Sequence, residues 1–270
     1  MGLAQQIAFS AVLAFFPTMI FLVGLLDLVD AFDALRGFIA PVAPAAVTRL
    51  IDDIGESASG AGSALALVLG GAGAVWAASG AMGAVIKAVN RAYGRTESRP
   101  FWKLRLVAIL LVLLTAFAAG TVLALIVFGG PLGEAIASEA GLGDAFAWLW
   151  DILRWPLAFV AILLFFALVY FIAPDDSLRS WRWISPGSLI GSLLWLALSA
   201  LFALYTALAG SYNETYGSIA GGIVLLLWLY YSAFALLFGA ELNSALDRQA
   251  DIRAAGGTDA GLTRPARRNR

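Results

Sequence analysis

The chain has 270 residues, of which 61% are hydrophobic and 13% are charged, and its net charge is −1. Soluble domains carry about 25% charged residues, so this composition excludes an ordinary soluble globule and favours a single membrane domain. The sequence contains neither Cys nor His. Their absence excludes disulfides, thiolate metal sites and the commonest general base, so we expect no cofactor, no metal site and no enzymatic activity.

Six apolar segments are each long enough for a spanning helix, which needs about 20 mostly apolar residues. Their continuous Leu- and Ala-rich composition argues against a barrel, in whose strands polar and apolar residues alternate. The predicted spans cover residues 4–28, 64–86, 104–128, 156–173, 184–208 and 217–239. We predict an all-α integral membrane protein, with a six-helix transmembrane domain over residues 1–247 and an Arg-rich tail over residues 248–270 that we expect to be disordered.

The first span begins almost at the first residue. No basic region precedes it and its apolar run is longer than that of a signal peptide, so we expect a retained membrane helix. Pro17 lies inside this span and removes one backbone hydrogen bond, which favours a kink.

Two connections predicted to lie outside are long enough to fold. Residues 47–54 repeat apolar side chains at helical spacing and predict a short amphipathic helix between the first two spans. Residues 146–153 predict a similar short helix before the fourth span. We expect both to pack against the bundle, and a lid over a cavity is the alternative.

The basic residues orient the chain, because cytoplasmic loops retain Lys and Arg. Six basic residues surround the connection between the second and third spans, and six more lie at the end of the chain. The connections after the first, third and fifth spans are instead rich in acidic residues. We therefore predict that both termini are cytoplasmic. The clusters are Lys87, Arg91, Arg95, Arg99, Lys103 and Arg105, and Arg248, Arg253, Arg264, Arg267, Arg268 and Arg270.

Two GxxxG patterns predict close helix packing, since small residues let helices approach in lipid. Gly187 and Gly191 form the first at the start of the fifth span, and Gly217 and Gly221 form the second at the start of the sixth. Packing within one chain is the expected use, and a homo-oligomer through these faces is left open.

Few ionisable residues lie within the spans. Lys87 and Glu241 come at the inner ends of the second and sixth spans, and we predict an ion pair of Glu241 with Lys87 or with Arg91, in a structural role. We see no carboxylate at the membrane midplane, which counts against a pump built on a buried acid.

A polar stretch enters the sixth span from outside at Tyr212, Asn213, Glu214 and Tyr216. Interfacial Tyr is a usual membrane anchor, so a short outer turn with an aromatic belt is one interpretation. An outer-facing polar pocket between the fifth and sixth spans is the other.

Four stretches in order resemble the YihY/BrkB family of bacterial inner-membrane proteins, once labelled ribonuclease BN. They are AFSAVLAFFP at residues 8–17, VWAASGAMGAVIKAVNRAYG at 75–94, the segment from VYFIAPD to SPGSLIGSLLW at 169–195, and YNETYGSIAGGIVLLLWLYYSAFALLFGAELN at 212–243. The last is the most specific. The chain departs from the family in starting almost directly at the first span. The resemblance implies a bacterial inner-membrane protein of about six spans and brings no established mechanism.

The membrane pattern and the matched motifs together indicate residues that line a cavity or lock the bundle. We expect membrane lipids as partners and no nucleic acid, because the basic clusters follow the topology. The candidate residues are Asn90, Arg91, Tyr212, Asn213, Glu214, Tyr216 and Glu241.

Three functions follow in order of preference. The first is a transporter or exporter of a lipid-like or amphipathic solute, because a mostly apolar bundle suits such cargo better than ions. The second is a non-transporting scaffold or envelope-assembly partner. The least favoured is a membrane-associated ribonuclease, since the chain has no His and its inner acids form no recognisable metal motif.

Overall fold

The computed structural model describes residues 2–28, 63–139, 143–175, 184–208 and 218–254. Within these ranges the chain is all helical, with no strand. The elements are α1 (Gly2–Leu28), α2 (Ser63–Ala92), α3 (Phe101–Leu123), a π-helical segment (Ala124–Phe128), α4 (Gly129–Glu139), α5 (Gly143–Ile172), α6 (Pro186–Leu208) and α7 (Ser218–Ala254).

Six of these helices are long and apolar enough to cross a membrane, which confirms the predicted all-α bundle of six spans. They are α1, α2, α3, α5, α6 and α7. Their large apolar side chains point outward, as lipid requires: Phe117 on α3, for example, is 75% exposed. A soluble protein rarely leaves such contiguous apolar surface uncovered.

Several helices run beyond the apolar segments that predicted them. Helix α2 continues to Ala92 and α7 continues to Ala254, because backbone hydrogen bonds within a helix do not depend on an apolar surrounding. The first residues of the predicted tail, 248–254, are therefore helical. The rest of the tail lies outside the described residues.

The short helix predicted over residues 146–153 is not a separate element. It forms the first turns of α5, which begins at Gly143 and passes through Pro156 without ending. Proline is tolerated in membrane helices because neighbouring groups satisfy the freed carbonyl. Pro17 likewise lies inside a continuous α1. The other predicted short helix, over residues 47–54, lies outside the described residues.

The sequence did not predict the end of α3. There the α-helical pattern gives way to the π segment and then to α4. Pro131, near the start of α4, cannot donate a backbone hydrogen bond to the preceding turn. The indole Nε1 of Trp150 on α5 donates to the carbonyl of Gly129 at 2.6 Å and ties this turn to α5. A methyl group at Gly133 would clash with the Trp150 ring, which shows how closely α4 packs there.

The bundle is organised around two packed pairs, α1 with α2 and α6 with α7, and α1 also packs against α7. Helix α5 contacts α3, α4 and α6. The buried core of the bundle is made mainly of apolar side chains from α2, α3 and α5, with small residues of α7. The most enclosed members include Ile86, Val89, Leu111, Phe166, Val169 and Ala240.

Glycine brings α6 and α7 into backbone contact. A methyl group at Gly187 would clash with the carbonyl oxygen of Gly239 and would lie 2.5 Å from Oδ1 of Asn243. At Gly191 a methyl group would lie 2.9 Å from the hydroxyl of Tyr170. The same methyl at Gly221 would meet nothing within 4 Å. The first predicted GxxxG therefore lies at a close approach, Gly221 faces open space within the described residues, and Gly217 lies outside them.

Tyr170 of α5 fills the space that these glycines leave. Its hydroxyl donates to the carbonyl of Leu236 on α7 at 2.7 Å, and the side chain is buried. A buried hydroxyl with a partner avoids the cost of an unsatisfied polar group. Helices α5, α6 and α7 therefore meet at one tight contact.

Candidate functional site

A buried asparagine lies at the end of α2, where the chain turns toward α3. Asn90 is 1% exposed. Its Nδ2 donates to Oε2 of Glu97 at 2.7 Å, and its Oδ1 accepts a hydrogen bond from the backbone N–H of Asp175 at 2.7 Å. One side chain therefore joins the α2–α3 connection to the segment that follows α5.

Charged and polar groups complete this cluster. The guanidinium of Arg99 donates to both carboxylate oxygens of Glu97, each at 2.7 Å, and its Nη2 also donates to the carbonyl of Ala173 at 2.8 Å. The backbone N–H and the hydroxyl of Ser98 donate to Oδ2 of Asp175 at 2.7 and 2.6 Å. We call this set, Asn90, Glu97, Ser98, Arg99 and Asp175, the Asn90 cluster.

The electrostatics of the Asn90 cluster favour its charged forms. The hydrogen bonds from Arg99 lower the pKa of Glu97, and the same contact raises the pKa of Arg99. Hydrogen bonds from Ser98 lower the pKa of Asp175. A general acid or base needs a pKa near the working pH. The pKa values of Glu97 and Asp175 are lowered and so lie further from neutral pH. The cluster therefore has the properties of a structural clasp.

A second buried asparagine joins α7 to the start of α6. Oδ1 of Asn243 accepts from the backbone N–H of Gly187 at 2.8 Å, and its Nδ2 donates to the hydroxyls of Ser185 and Tyr93 at 2.8 and 3.1 Å. Ser185 also caps α6, since its hydroxyl accepts from the backbone N–H of Ser188 at 3.1 Å. Burial raises the pKa of Tyr93 to about 12.

The predicted ion pair of Glu241 with Lys87 or Arg91 is not formed among the described residues. All three side chains are exposed, and none has a salt-bridge partner in the part of the chain that the structure describes. The polar contacts near these ends of α2 and α7 come instead from Asn90 and Asn243, which lie on the buried faces. The predicted residues Tyr212, Asn213, Glu214 and Tyr216 lie outside the described ranges.

A lateral groove opens between α2 and α3. Its volume is about 420 Å³ and its lining is almost entirely apolar. The α2 residues recur on one helix face, and two α3 residues one turn apart form the opposite side. The lining residues are Gly71, Ala72, Val75, Trp76, Ser79, Arg105 and Ile109.

Arg105 supplies the charge in this groove. Its guanidinium carbon lies 3.8 Å from the centroid of the Trp76 indole, and its Nη2 donates to the Trp76 carbonyl at 2.9 Å. The hydroxyl of Ser79 bonds its own helix, at the carbonyls of Val75 and Trp76. Arg105 is therefore the one charged lining side chain that can donate hydrogen bonds to a bound molecule.

We did not predict this groove or the role of Asn243. Arg105 counted only as a topology signal, because a residue's position in a basic cluster does not show which helix face it occupies. Within the described ranges no three acidic side chains come together in a group that could hold a metal ion. The chemistry of the groove is that of an apolar surface with one guanidinium at its edge.

Comparison with known proteins places the chain in a family. The model of the family described as "Virulence factor BrkB" matches residues 1–261 and confirms the resemblance predicted from the motifs. The chain is 32% identical over 247 residues to YfkH of Bacillus subtilis, described as ribonuclease-like, covering 91% of this chain and 90% of YfkH.

Shorter matches join the chain to proteins described as UPF0761 membrane proteins. The one from Idiomarina loihiensis is 31% identical over 93 residues, which is 34% of this chain and 32% of that protein. The one from Azotobacter vinelandii is 38% identical over 77 residues, which is 28% of this chain and 19% of that protein. These matches cover a third or less of either relative. No solved structure matched the chain.

Proposed function

We propose, from the premise that this chain belongs to the BrkB family of membrane proteins, that it moves a lipid-like or amphipathic molecule within the bacterial inner membrane. The observation that carries this proposal is the groove between α2 and α3. It is apolar, it lies at the surface between two helices long enough to span a membrane, and it has one cationic side chain, Arg105. Membrane lipids are its expected partners.

The physical reason is a match between the groove and the molecule. An amphipathic molecule needs an apolar surface for its tail and a polar or charged contact for its head. Ala72 and Val75 supply the first, and Arg105 supplies the second. A groove open to lipid lets such a molecule enter without leaving the bilayer.

The orientation belongs to the same proposal. We propose that both termini are cytoplasmic, which places the α2–α3 connection and the end of α7 on the inner side. The basic residues around the α2–α3 connection support this orientation, because Lys and Arg are retained in cytoplasmic loops. The Asn90 cluster would then lie at the cytoplasmic face.

The test is lipid movement in reconstituted vesicles. Vesicles carry a head-labelled fluorescent phospholipid in both leaflets, and dithionite bleaches only the outer one, with and without an imposed membrane potential. We expect the protein to raise the bleached fraction above half. Ala72→Phe, which fills the groove, should return the bleached fraction to that of empty vesicles. Ala116→Phe, on an exposed α3 position outside the groove lining, is the matched control. Bleaching no greater than in empty vesicles under both conditions would contradict the proposal.

A non-transporting scaffold is the second candidate. It is favoured by the two buried asparagines, since Asn90 and Asn243 tie successive elements together and stiffen the bundle. A scaffold predicts the same copurifying proteins for the parent chain and for Ala72→Phe, and no movement of lipid.

The ribonuclease description of YfkH leads to the least favoured candidate. Hydrolytic nucleases generally use His pairs or acids on a metal, and this chain has no His. We propose that the protein is not a nuclease and does not bind nucleic acid. Purified, folded protein that cleaves RNA in any of several divalent metals would contradict this.

A further inference from the structure

We infer that the α2–α3 groove binds a phospholipid with an acidic headgroup, whose phosphate contacts Arg105 and whose acyl chain lies along α2. This inference rests on the proposed function and names the class of lipid that the same site takes. It starts from the charge of Arg105. No carboxylate lies within salt-bridge distance of this guanidinium in the part of the chain that the structure describes.

The guanidinium is held in place and still has free donors. The carbonyl of Trp76 takes one N–H of Nη2 at 2.9 Å, and the Trp76 ring covers one face of the group. An arginine carries five N–H donors in a planar fork that matches a phosphate in two-point contact. The ring and the carbonyl therefore orient the fork, and the remaining donors are available to a ligand.

The position of Arg105 along its helix suits a phosphate. It lies in the second turn of α3, about 6 Å along the axis from the first residue of the span. Phe101 and Trp102 at that end are largely exposed, and the ammonium of Lys103 lies 5.3 Å from the Trp102 ring centroid. Exposed aromatic and basic residues mark the headgroup level of a membrane.

The rest of the groove suits an acyl chain. The α2 face from Gly71 to Ser79 runs for about 12 Å and offers small apolar residues. At Gly71 a side-chain carbon would lie 2.8 Å from the ring of Phe21 on α1, so α1 closes this end. With Phe21 at one end and Arg105 at the other, a lipid would lie with its head at Arg105 and its acyl chain toward Gly71.

The charge pattern favours an acidic lipid over a zwitterionic one. A choline headgroup is recognised on the face of an aromatic ring, and Arg105 already covers Trp76. A zwitterionic head would also place its cation near Arg105. An acidic glycerophospholipid such as phosphatidylglycerol carries the phosphate without that repulsion.

The experiment measures lipid retention by the full chain. Native mass spectrometry compares adducts after exchange with equal amounts of dioleoyl phosphatidylglycerol and dioleoyl phosphatidylcholine. We expect the parent chain to retain the acidic lipid preferentially and Arg105→Gln to reduce that preference by about tenfold, the effect of losing a charge-assisted hydrogen bond. Lys103→Gln, which removes the same charge two residues away, is the matched control and should keep the preference.

Three further variants keep the test decisive if Arg105→Gln does not fold, which circular dichroism and gel filtration would reveal. Arg105→Lys keeps the charge without the fork, so its preference should be intermediate. Ala72→Phe should lower retention of the acidic lipid while Ala116→Phe should not. An unchanged preference in the folded Arg105 variants, or an equal loss in Lys103→Gln, would overturn the inference.

The outcomes separate this inference from the proposed function. If Arg105 governs retention of the acidic lipid but no lipid moves between leaflets, the binding site stands and transport fails. If Ala72→Phe stops lipid movement while both Arg105 variants retain the acidic lipid as the parent does, the groove works in transport and the headgroup assignment is wrong.

Discussion

Oδ1 of Asn90 accepts a hydrogen bond from the backbone N–H of Asp175 at 2.7 Å, across a separation of 85 residues. This contact fixes the end of α2 against the segment that follows α5. A second hydrogen bond reinforces it, since Nδ2 of Asn90 donates to Oε2 of Glu97 at 2.7 Å. A single polar side chain thus joins three parts of the chain at one end of the bundle.

Replacing Asn90 with Ala should therefore destabilise the fold. The backbone N–H of Asp175 is left without its partner, which costs about 1–3 kcal/mol. Oε2 of Glu97 keeps its bond from Arg99 but loses the one from Asn90, and a hydrogen bond to a charged group contributes about 1.5–3 kcal/mol. We expect the free energy of unfolding in detergent to fall by about 3 kcal/mol.

The control for Asn90→Ala is Thr121→Ala on α3. Thr121 is on the surface, and its hydroxyl bonds only its own helix, at the carbonyl of Phe117. Its replacement should change the free energy of unfolding by no more than about 0.5 kcal/mol. Equal effects of the two substitutions would contradict the role given to Asn90.

Glycine positions offer a second matched pair. Gly187→Ala places a methyl group against the Gly239 carbonyl and Asn243, so we expect a loss of about 1–3 kcal/mol from overpacking. Gly221→Ala meets nothing within 4 Å and should be neutral or stabilise by up to about 1 kcal/mol, the helix propensity difference. Thermal unfolding of both variants measures this contrast. A neutral Gly187→Ala would show that α6 and α7 do not approach this closely.

Acid should weaken the Asn90 cluster. The pKa of Glu97 is lowered from its ordinary value of 4.5, mainly by hydrogen bonds from Arg99, so the folded state favours the carboxylate. This contribution is fully present above the unfolded pKa and is lost as pH falls through the lower folded pKa. We expect the melting temperature to drop below about pH 4.5.

Glu97→Gln supplies the control for this pH dependence, because it keeps an acceptor and cannot titrate. Its melting temperature should be lower than that of the parent near neutral pH, and the drop in acid should be smaller. Part of the drop should remain, because Asp175 also has a lowered pKa. A profile identical to that of the parent would exclude Glu97 as the titrating group.

The predicted orientation can be tested directly, because the chain contains no Cys and needs no background substitution. Arg248→Cys and Glu139→Cys place single thiols at exposed positions in α7 and α4. With both termini cytoplasmic, an impermeant maleimide added to intact cells should label position 139 and not position 248. Opening the inner membrane should allow both to react. The reverse pattern would invert the topology.

The spans could be predicted because long apolar runs have few alternatives in a membrane. Their ends could not. Residues 87–92 and 240–254 carry charges that end an apolar segment without ending a helix, so α2 and α7 run further than predicted. The π segment was missed because Ala124 to Phe128 reads as an unbroken apolar run.

The candidate residues were harder to predict than the helices. We predicted Asn90 as a candidate residue, but the sequence does not show that its side chain is buried. Asn243 ended a matched motif without standing out, because one polar residue among charged neighbours does not reveal which face it occupies. Lys87 and Glu241 shared a depth, but a shared depth does not fix the rotation of two helices about their axes. Arg105 could not be singled out, because the five other basic residues of its cluster give the same topology signal.

The backbone contact at Gly187 and Gly239, with Tyr170 bonded to Leu236, has a mechanical consequence. Helices α5, α6 and α7 interlock there and cannot slide past one another without unpacking the glycines. The Asn90 cluster fixes the neighbouring end of α2 to the same three-helix body. We therefore expect any change in the width of the groove to come from tilting of α2 and α3 about that fixed end.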